Sequence, residues 1–320
     1  MRRMLVGLVV SGAALVVAVA PIGAHGTGNE DIDVTHLPLG ATVTEPTVGG
    51  LWTCQTNHTG GGAQVEGPWF NDDGTWNLDE KVSVEGSVEW PDAEVTIERD
   101  GDERVITTKD LPVDDPTGEF PVASDSEAYQ YDRNPNSIAA QDFELEIPAE
   151  PEVADEPSCV GGEVGILKSG VVLFNAVDAG GRDAVAYEIQ DGCDGHPQAS
   201  DAYHYHSASS CVLEDLDSGT GQSKLIGYAF DGFGIYGPRD ADGNDLTSAD
   251  LDECHGTTSK VKFNGKKQKI YHYVATVDYP YTVGCFRGTN ALGGGGLTDS
   301  ETPGQGGTET DNVPGGGPPG

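Results

Sequence analysis

Positively charged side chains are scarce in this sequence. The 320 residues include 17 Lys and Arg against 53 Asp and Glu, which gives a formal charge of -36 at pH 7. Nucleic-acid binding requires a basic surface that neutralises phosphates, and anionic membranes also attract basic segments, so the composition argues against both partners. The acidic residues are spread along the chain. This pattern indicates adaptation to high salt, where screening removes the self-repulsion of an acidic surface.

The motifs of several common enzyme classes are also missing. The sequence has no G-x-S-x-G nucleophile elbow, no phosphate-binding G-x-x-x-x-G-K, no H-E-x-x-H and no dinucleotide fingerprint. It has no C-x-x-C pair, which argues against a zinc–thiolate knuckle. If all six cysteines are oxidised, catalysis by a cysteine thiol is not expected either.

One long apolar run stands at the N-terminus, where "MRRMLVGLVVSGAALVVAVAPIGAHG" has the layout of a secretory signal peptide. We predict a signal peptide over residues 1–24 with cleavage after Ala24, and a secreted or cell-surface protein without a membrane span after cleavage. The alternative is an anchor that is never cleaved. Arg2 and Arg3 leave general and twin-arginine export both open. No Cys follows the run, which argues against a lipid anchor.

Composition divides the rest of the chain. We predict a disordered linker at 25–50, an N-terminal β region at 51–158, a main domain at 159–290 and a disordered Gly/Pro-rich tail at 291–320. No window has a long helical stripe, whereas short alternating runs indicate strands: "KVSVEGSVEW", "AEVTIER", "ERVITT" and "FELEIP". Two hairpins are predicted, turning at Ser169-Gly170 and at Asn264-Gly265. The predicted fold is mostly β, sandwich-like or barrel-like, with long disulfide-bound loops.

The six cysteines favour disulfides, because an exported chain meets oxidising conditions. Fifteen pairings are open to six cysteines, and sequence alone does not choose among them. The pairing that we predict is Cys193 with Cys211, Cys254 with Cys285, and Cys54 with Cys159. The first bridge would close a loop around "GHPQASDAYHYH".

Histidines follow an unusual pattern at 203–206, where "YHYH" stands, and at 271–274, where it returns as "YHYV". In a strand, alternation places His204 and His206 on one face and their tyrosines on the other. With His272 from the second copy and His196 nearby, the pattern predicts a zinc or copper site with one open position. The alternative is a polar core in which carboxylates or carbonyls satisfy these histidines.

Three weaker patterns accompany the histidines. Asp231, within "GYAFDGFGIYG", is a candidate metal ligand, partner of a ligating imidazole or general base, with a simple turn residue as the alternative. "DADGND" has calcium-loop spacing, although such runs arise easily in an acidic chain. A lysine-rich hairpin favours either a polysaccharide contact or an edge strand protected by charge. The calcium candidates are Asp240, Asp242 and Asp245, and the lysines are Lys260, Lys262, Lys266, Lys267 and Lys269.

Five stretches together carry a family resemblance: "NAVDAGGRDAV", "DGCDGHPQASDAYHYHSASSC", "LIGYAFDGFGIYGPRDADG", "LDECHG" and "IYHYVATVDYPYTVGCFRG". In their order and spacing the chain resembles the YHYH domain proteins of bacteria and archaea, which identifies 159–290 as a YHYH domain. The resemblance implies an exported or surface protein and no particular activity. Because the second tetrad ends in Val274, a symmetric four-histidine site is not expected.

Two functions follow from the predicted site. In the first, the His/Asp cluster holds zinc or copper in an extracellular binding module. In the second, it is the centre of an extracellular enzyme, either a zinc hydrolase with Asp231 as base or a copper oxidase supported by the nearby tyrosines. The sequence specifies neither the substrate nor the oligomeric state. The tyrosines are Tyr203, Tyr205, Tyr271 and Tyr273.

Overall fold

An open sheet of eight strands positions the histidines. The computed structural model describes residues 32–292, apart from 59, 61 and 64, and residue 297. The predicted signal peptide and nearly all of the predicted tail lie outside these residues. None of the helices in the described part of the chain is long and apolar enough to cross a membrane.

Small sheets make up the first half of the described chain. The strands are β1 (Leu37–Pro38), β2 (Thr42–Val43), β3 (Leu51–Trp52), β4 (Thr75–Trp76), β5 (Val95–Asp100), β6 (Glu103–Thr108) and β7 (Phe143–Pro148). β1 pairs with β4, β2 with β3, and β5, β6 and β7 form an antiparallel three-stranded sheet. Short 3-10 turns lie at Val34–His36, Leu78–Glu80 and Ala128–Gln130.

The eight-stranded sheet follows, with the strand order β10-β11-β9-β8-β12-β13-β15-β14. Its elements are β8 (Glu163–Leu167), β9 (Val172–Phe174), β10 (Gly195–Pro197), β11 (Tyr203–Tyr205), β12 (Leu225–Ala229), β13 (Gly234–Tyr236), β14 (Gly256–Phe263) and β15 (Lys266–Val274). Two short helices, α1 (Ala184–Tyr187) and α2 (Ser210–Asp217), and a 3-10 turn at Ser248–Asp250 lie between strands.

The mostly β prediction is confirmed, and the sandwich-like alternative fits. The large sheet is open, with β10 and β14 at its edges. Ile106 and Leu145 of the three-stranded sheet share one buried core with residues of the large sheet, including Tyr205 and Phe230. Two sheets that bury their inner faces together form the layers of a sandwich.

Both predicted hairpins are confirmed. Gly170 has φ 91° in the turn between β8 and β9, and Asn264 and Gly265 have φ 49° and 75° between β14 and β15. Two successive positive φ values are the signature of the type I′ turn, for which Asn-Gly is the preferred pair. The lysine-rich β14 is an edge strand, which is consistent with protection of an edge by charge.

Two predictions for the N-terminal part are wrong. The run at 81–90 makes isolated bridges, of Val84 with Asp191 and of Val88 with Thr117, because its partners are loop segments. The range 25–50 was predicted to be a linker, but its described residues, 32–50, are ordered. Leu37 is buried in a second apolar cluster and is paired with Trp76, so the segment contributes to a core.

All three predicted disulfides are present. Their pairs are Cys54–Cys159, Cys193–Cys211 and Cys254–Cys285. The first joins the N-terminal region to the segment before β8, across 105 residues of sequence. The second joins the loop before β10 to α2, so it closes the chain around the histidine-bearing hairpin.

Candidate metal centre

A buried carboxylate fixes the hairpin that carries the histidines. Oδ1 of Asp191 accepts hydrogen bonds from the backbone N–H groups of Cys193 and Gly195, at 3.0 and 3.2 Å. The hydroxyl of Tyr203 donates to the same carboxylate, at 3.0 and 2.9 Å from its two oxygens. The loop before β10 is therefore tied to β11 by one side chain, and the cysteine bridge adds a covalent constraint.

Three histidines meet on one face of this hairpin. His196 of β10 lies directly opposite His204 of β11, and His206 follows at the end of β11. The predicted alternation is confirmed, since His204 and His206 have their rings together while Tyr203 and Tyr205 pack against each other. One ring nitrogen from each of the three histidines lies within 4.8 Å of the others. All three side chains are buried.

The spacing of these atoms matches that of metal ligands. Two ligands bound tetrahedrally to zinc at about 2.0–2.1 Å are about 3.3 Å apart. The Nε2 atoms of His204 and His206 are 3.2 Å apart. Oε2 of Glu188 lies 3.4 Å from Nε2 of His206 and 3.5 Å from Nε2 of His196. Each of these three separations is within about 0.2 Å of a tetrahedral edge.

Three of these atoms have no hydrogen-bond partner among the described residues: both ring nitrogens of His196 and Oε2 of Glu188. A buried polar atom without a partner is destabilising by about 1–3 kcal/mol. Three such atoms in one cluster therefore need an explanation. A cation between them would satisfy the atoms that face each other.

His206 is held in the tautomer that a metal requires. Its Nδ1 lies 2.5 Å from the backbone oxygen of Asn175, which can only accept, so Nδ1 carries the proton. The lone pair of Nε2 then faces His204 and Glu188. Orientation of a ligating histidine through its second nitrogen is a common feature of metal sites.

Burial keeps the imidazoles neutral. It lowers the pKa of His196 and His204 well below the usual value, and it lowers the pKa of His206 to about 4. Burial also raises the pKa of the Glu188 carboxyl well above its usual range, and the charges of Asp178 and Asp132 add to this effect. The cluster thus combines three uncharged imidazoles, whose ring nitrogens can ligate a metal, with the Glu188 carboxyl, which a bound cation would ionise.

Glu188 is the residue that sequence reasoning missed. It follows α1, whose N-terminus is capped by Asp183, and so it reaches the cluster from a helix rather than from the sheet. Nothing in the stretch "AYEIQDG" distinguishes this glutamate from the other acids of the chain. Its carboxylate reaches the histidines only because the folded chain places the end of α1 next to them, with Oε2 at 3.5 Å from His196 and 3.4 Å from His206.

His272 is not part of the cluster, which corrects the prediction of a site shared by both tetrads. It lies on β15, five strand positions from β11 in the sheet. At about 4.8 Å per strand, that separation is roughly 24 Å. Its ring packs beside Tyr236 at 4.9 Å, and its Nδ1 lies 3.1 Å from the oxygen of Ile270.

Asp231 also lies elsewhere, in the turn between β12 and β13. Its Oδ2 accepts from the Tyr273 hydroxyl at 2.6 Å and from the Gly288 N–H at 2.9 Å, and Oδ1 accepts from the Phe233 N–H at 3.3 Å. The alternative of a turn residue is therefore correct, and its placement in the metal site was wrong.

The loop with calcium-like spacing is a closed turn. Oδ1 of Asp240 accepts from the N–H groups of Asp242 and Asn244, both at 2.9 Å. The backbones of Asp245 and Arg239 form an isolated antiparallel β-bridge. The Asp240 carboxylate is thus engaged within its own loop, and calcium binding there stays a prediction.

A cavity of 480 Å³ opens beside the histidines. Glu188 and the three histidines lie in its wall, together with Phe174, whose ring stands 4.3 Å from that of His204. Among the described residues, no lysine or arginine lines the cavity. The other polar side chains in its wall are amides and acids: Gln55, Asp132, Asn134, Asn136, Asn175, Asp178 and Gln198. The cluster therefore faces space that a small molecule or water can occupy.

Comparison with known proteins supports the resemblance drawn from the motifs. Residues 144–248 match the family model described as YHYH protein, a range that includes the three clustered histidines and Glu188. No curated protein and no solved structure matches the chain.

Proposed function

Since this chain contains a YHYH domain, we propose that the domain binds one zinc or copper ion through His196, His204 and His206. The observation that supports this proposal most directly is the spacing of the three buried imidazoles, since one ring nitrogen of each lies within 4.8 Å of the other two. Neutral imidazole nitrogens are preferred ligands of both metals. Glu188 contacts two of the three rings and supplies a carboxylate that can ligate the ion or balance its charge.

The alternative of a satisfied polar core has less support. In such a core each imidazole would donate to a carbonyl or carboxylate and accept from a donor. His206 has a carbonyl partner in Asn175, but both ring nitrogens of His196 lack a partner among the described residues. A cation at the centre of the cluster would give a partner to the ring nitrogens that face one another.

The setting that we propose is outside the cell in concentrated salt. Three disulfides support an oxidising compartment, because thiols stay reduced in most cytosols. The net charge of -36 supports a saline medium, in which such a surface is screened. The N-terminal signal pattern also supports export from the cell.

Metal analysis of the untagged protein tests the binding proposal. We expect one equivalent of zinc or copper per chain after dialysis against each metal, measured by inductively coupled plasma mass spectrometry. His204→Ala should abolish stoichiometric binding. His272→Ala is the matched control, because His272 is a buried strand histidine outside the cluster, and it should retain the metal. Equal metal content in the two variants would overturn the proposal.

A second candidate function is metal-dependent catalysis, which the cavity favours. A structural zinc site is closed, whereas a catalytic one keeps a position for water or substrate. In that case Glu188, rather than Asp231, is placed to accept a proton from metal-bound water. The hydroxyl of Tyr203 is bound to Asp191, on the face opposite the histidines, which favours hydrolysis over tyrosine-assisted copper chemistry.

Glu188→Gln separates this candidate from simple binding. The substitution keeps the size of the side chain but removes its basicity. Loss of hydrolysis of activated ester or phosphoester probes, with metal content retained, would support catalysis. If neither the wild type nor the variant turns over any such probe while both bind metal, the site is a binding site alone.

A further inference from the structure

The eight strands of the large sheet form two sets with the same pairings. In the first half, residues 163–206, the hairpin β8–β9 is followed by the hairpin β10–β11, and β11 runs parallel to β9. In the second half, residues 225–274, β12–β13 is followed by β14–β15, and β15 runs parallel to β13. The two halves meet at the antiparallel pair of β8 and β12.

The register repeats along with the order. Each pairing of the first hairpin recurs 62 residues later in its counterpart, including a register shift near the start of the first strand. The pairs Glu163–Phe174, Gly165–Leu173 and Ile166–Val172 correspond to Leu225–Tyr236, Gly227–Ile235 and Tyr228–Gly234. Ile166 and Tyr228, which are themselves counterparts, face each other at the junction of the halves.

The connecting loops repeat at the same interval. Gly170 and Gly232 occupy the two hairpin turns with φ of 91° and 87°. After each hairpin an aspartate closes a loop through its own side chain: Asp178 accepts from the N–H of Arg182 at 2.8 Å, as Asp240 does from the N–H of Asn244 at 2.9 Å. The calcium-like loop is thus the second copy of a turn.

The carboxylate that fixes the histidine hairpin also has a counterpart. Oδ1 of Asp252 accepts from the N–H groups of Cys254 and Gly256 and from the hydroxyl of Tyr271, each at 3.0 Å. These are the contacts that Asp191 makes with Cys193, Gly195 and Tyr203. In both copies the residue before the glycine has positive φ: Asp194 at 68° and His255 at 69°.

The correspondence carries through to the metal ligands. His196 pairs with His204 in the first half, and Thr257 pairs with His272 in the second. Tyr205 pairs with Leu173, as Tyr273 pairs with Ile235, so the next residues, His206 and Val274, are counterparts. The ring beside each central histidine is matched as well, with Phe174 at 4.3 Å from His204 and Tyr236 at 4.9 Å from His272.

We propose that the large sheet is an internal duplication, and that its second half holds a latent copy of the metal site in which Thr257 and Val274 replace two of the three ligands. The metal part of this inference rests on the proposed function. The repeat of the tetrad in the sequence therefore marks two equivalent structural frames, the hairpin β10–β11 with its neighbouring strand β9 and the hairpin β14–β15 with its neighbouring strand β13. It does not mark one shared metal centre. The chain binds a single ion, at the first frame.

Gain of a second site is the first test. Thr257→His together with Val274→His should raise bound zinc from one equivalent to two, measured after equilibrium dialysis of the full chain against zinc. The matched control adds His272→Ala to this pair and should return the value to one. A folded double variant that still binds one equivalent would overturn the latent site.

A reciprocal exchange keeps the proposal testable if the buried histidines prevent folding. His196→Thr with His206→Val gives the first frame the residues of the second. Since the frames are equivalent, this variant should fold without metal and unfold at a temperature no lower than that of metal-free wild type, while losing zinc. Failure to fold would contradict the duplication. If wild type binds no metal, the proposed function fails, and folding of this variant still decides the duplication.

Discussion

In the histidine hairpin, β10–β11, some side chains stabilise the fold and others form the candidate metal site. The tyrosines of the tetrad point to the core, where Tyr203 anchors on Asp191, while the histidines face the cavity. The two sets alternate because successive side chains of a strand point to opposite faces. The motif therefore specifies a position in the fold as well as a ligand set. Its two tyrosines recur in the second half as Tyr271 and Tyr273, whereas of the three ligands only the counterpart of His204, His272, recurs.

Gly195 shows how tightly this position is packed. A Cβ on Gly195 would lie 2.2 Å from atoms of the Tyr203 ring, whereas a Cβ on Gly192, in the same loop, would have no heavy atom within 4 Å. We expect Gly195→Ala to lower the free energy of unfolding by about 1–3 kcal/mol, as overpacking does, and to weaken metal binding. Gly192→Ala should change neither. Chemical denaturation of the two variants makes the comparison, and equal stabilities would contradict this account of the hairpin.

At the scale of elements, the bridge between Cys193 and Cys211 connects the hairpin to α2. The two cysteines are 18 positions apart in the sequence, and for a loop of this size chain entropy predicts roughly 3 kcal/mol of stabilisation. Replacing both cysteines by alanine should lower stability by an amount of this order and also weaken metal binding, because the loop before β10 is freed. Removing the bridge of Cys254 and Cys285 should lower stability alone. Metal titrations of both variants distinguish them, and equal affinities would be inconsistent with a role of the first bridge in the site.

Some of these elements could be predicted from sequence and others could not. The turns at Ser169-Gly170 and Asn264-Gly265 were predictable, because their backbone geometry depends on the turn residues themselves. The run at 81–90 alternates like a strand, yet its neighbours in space are loops, which no local pattern records.

The candidate site was predictable to the same extent. The two histidines of the first tetrad, and a third a few residues before it, follow from local spacing in the sequence. Glu188 depends on how a helix packs, and the place of His272 depends on the order of strands in the sheet. In the sequence, a repeated tetrad is compatible with two alternatives. Both copies can contribute ligands to one site, or each copy can belong to its own duplicated structural unit. The hydrogen bonds of Asp191 and Asp252 decide for duplication.

The molecule as a whole carries its charge in an uneven way. Acidic side chains are distributed over the chain, while five of its lysines lie on the edge hairpin β14–β15. That hairpin is the outer end of the second half, so these lysines lie on the half without the ligand set. A polysaccharide contact there remains a proposal, and protection of the edge strand explains the same residues.

Salt should stabilise the folded protein, because its surface is strongly acidic. At -36 the acidic side chains repel one another, and the repulsion is screened over about 3 Å at 1 M salt but over about 10 Å at 0.1 M. We therefore expect the melting temperature to fall as sodium chloride is reduced from molar to 0.1 M. Potassium chloride at the same ionic strength is the control and should give the same melting temperatures, because screening depends on ionic strength. A melting temperature independent of salt would show that the acidic surface is not an adaptation to salt.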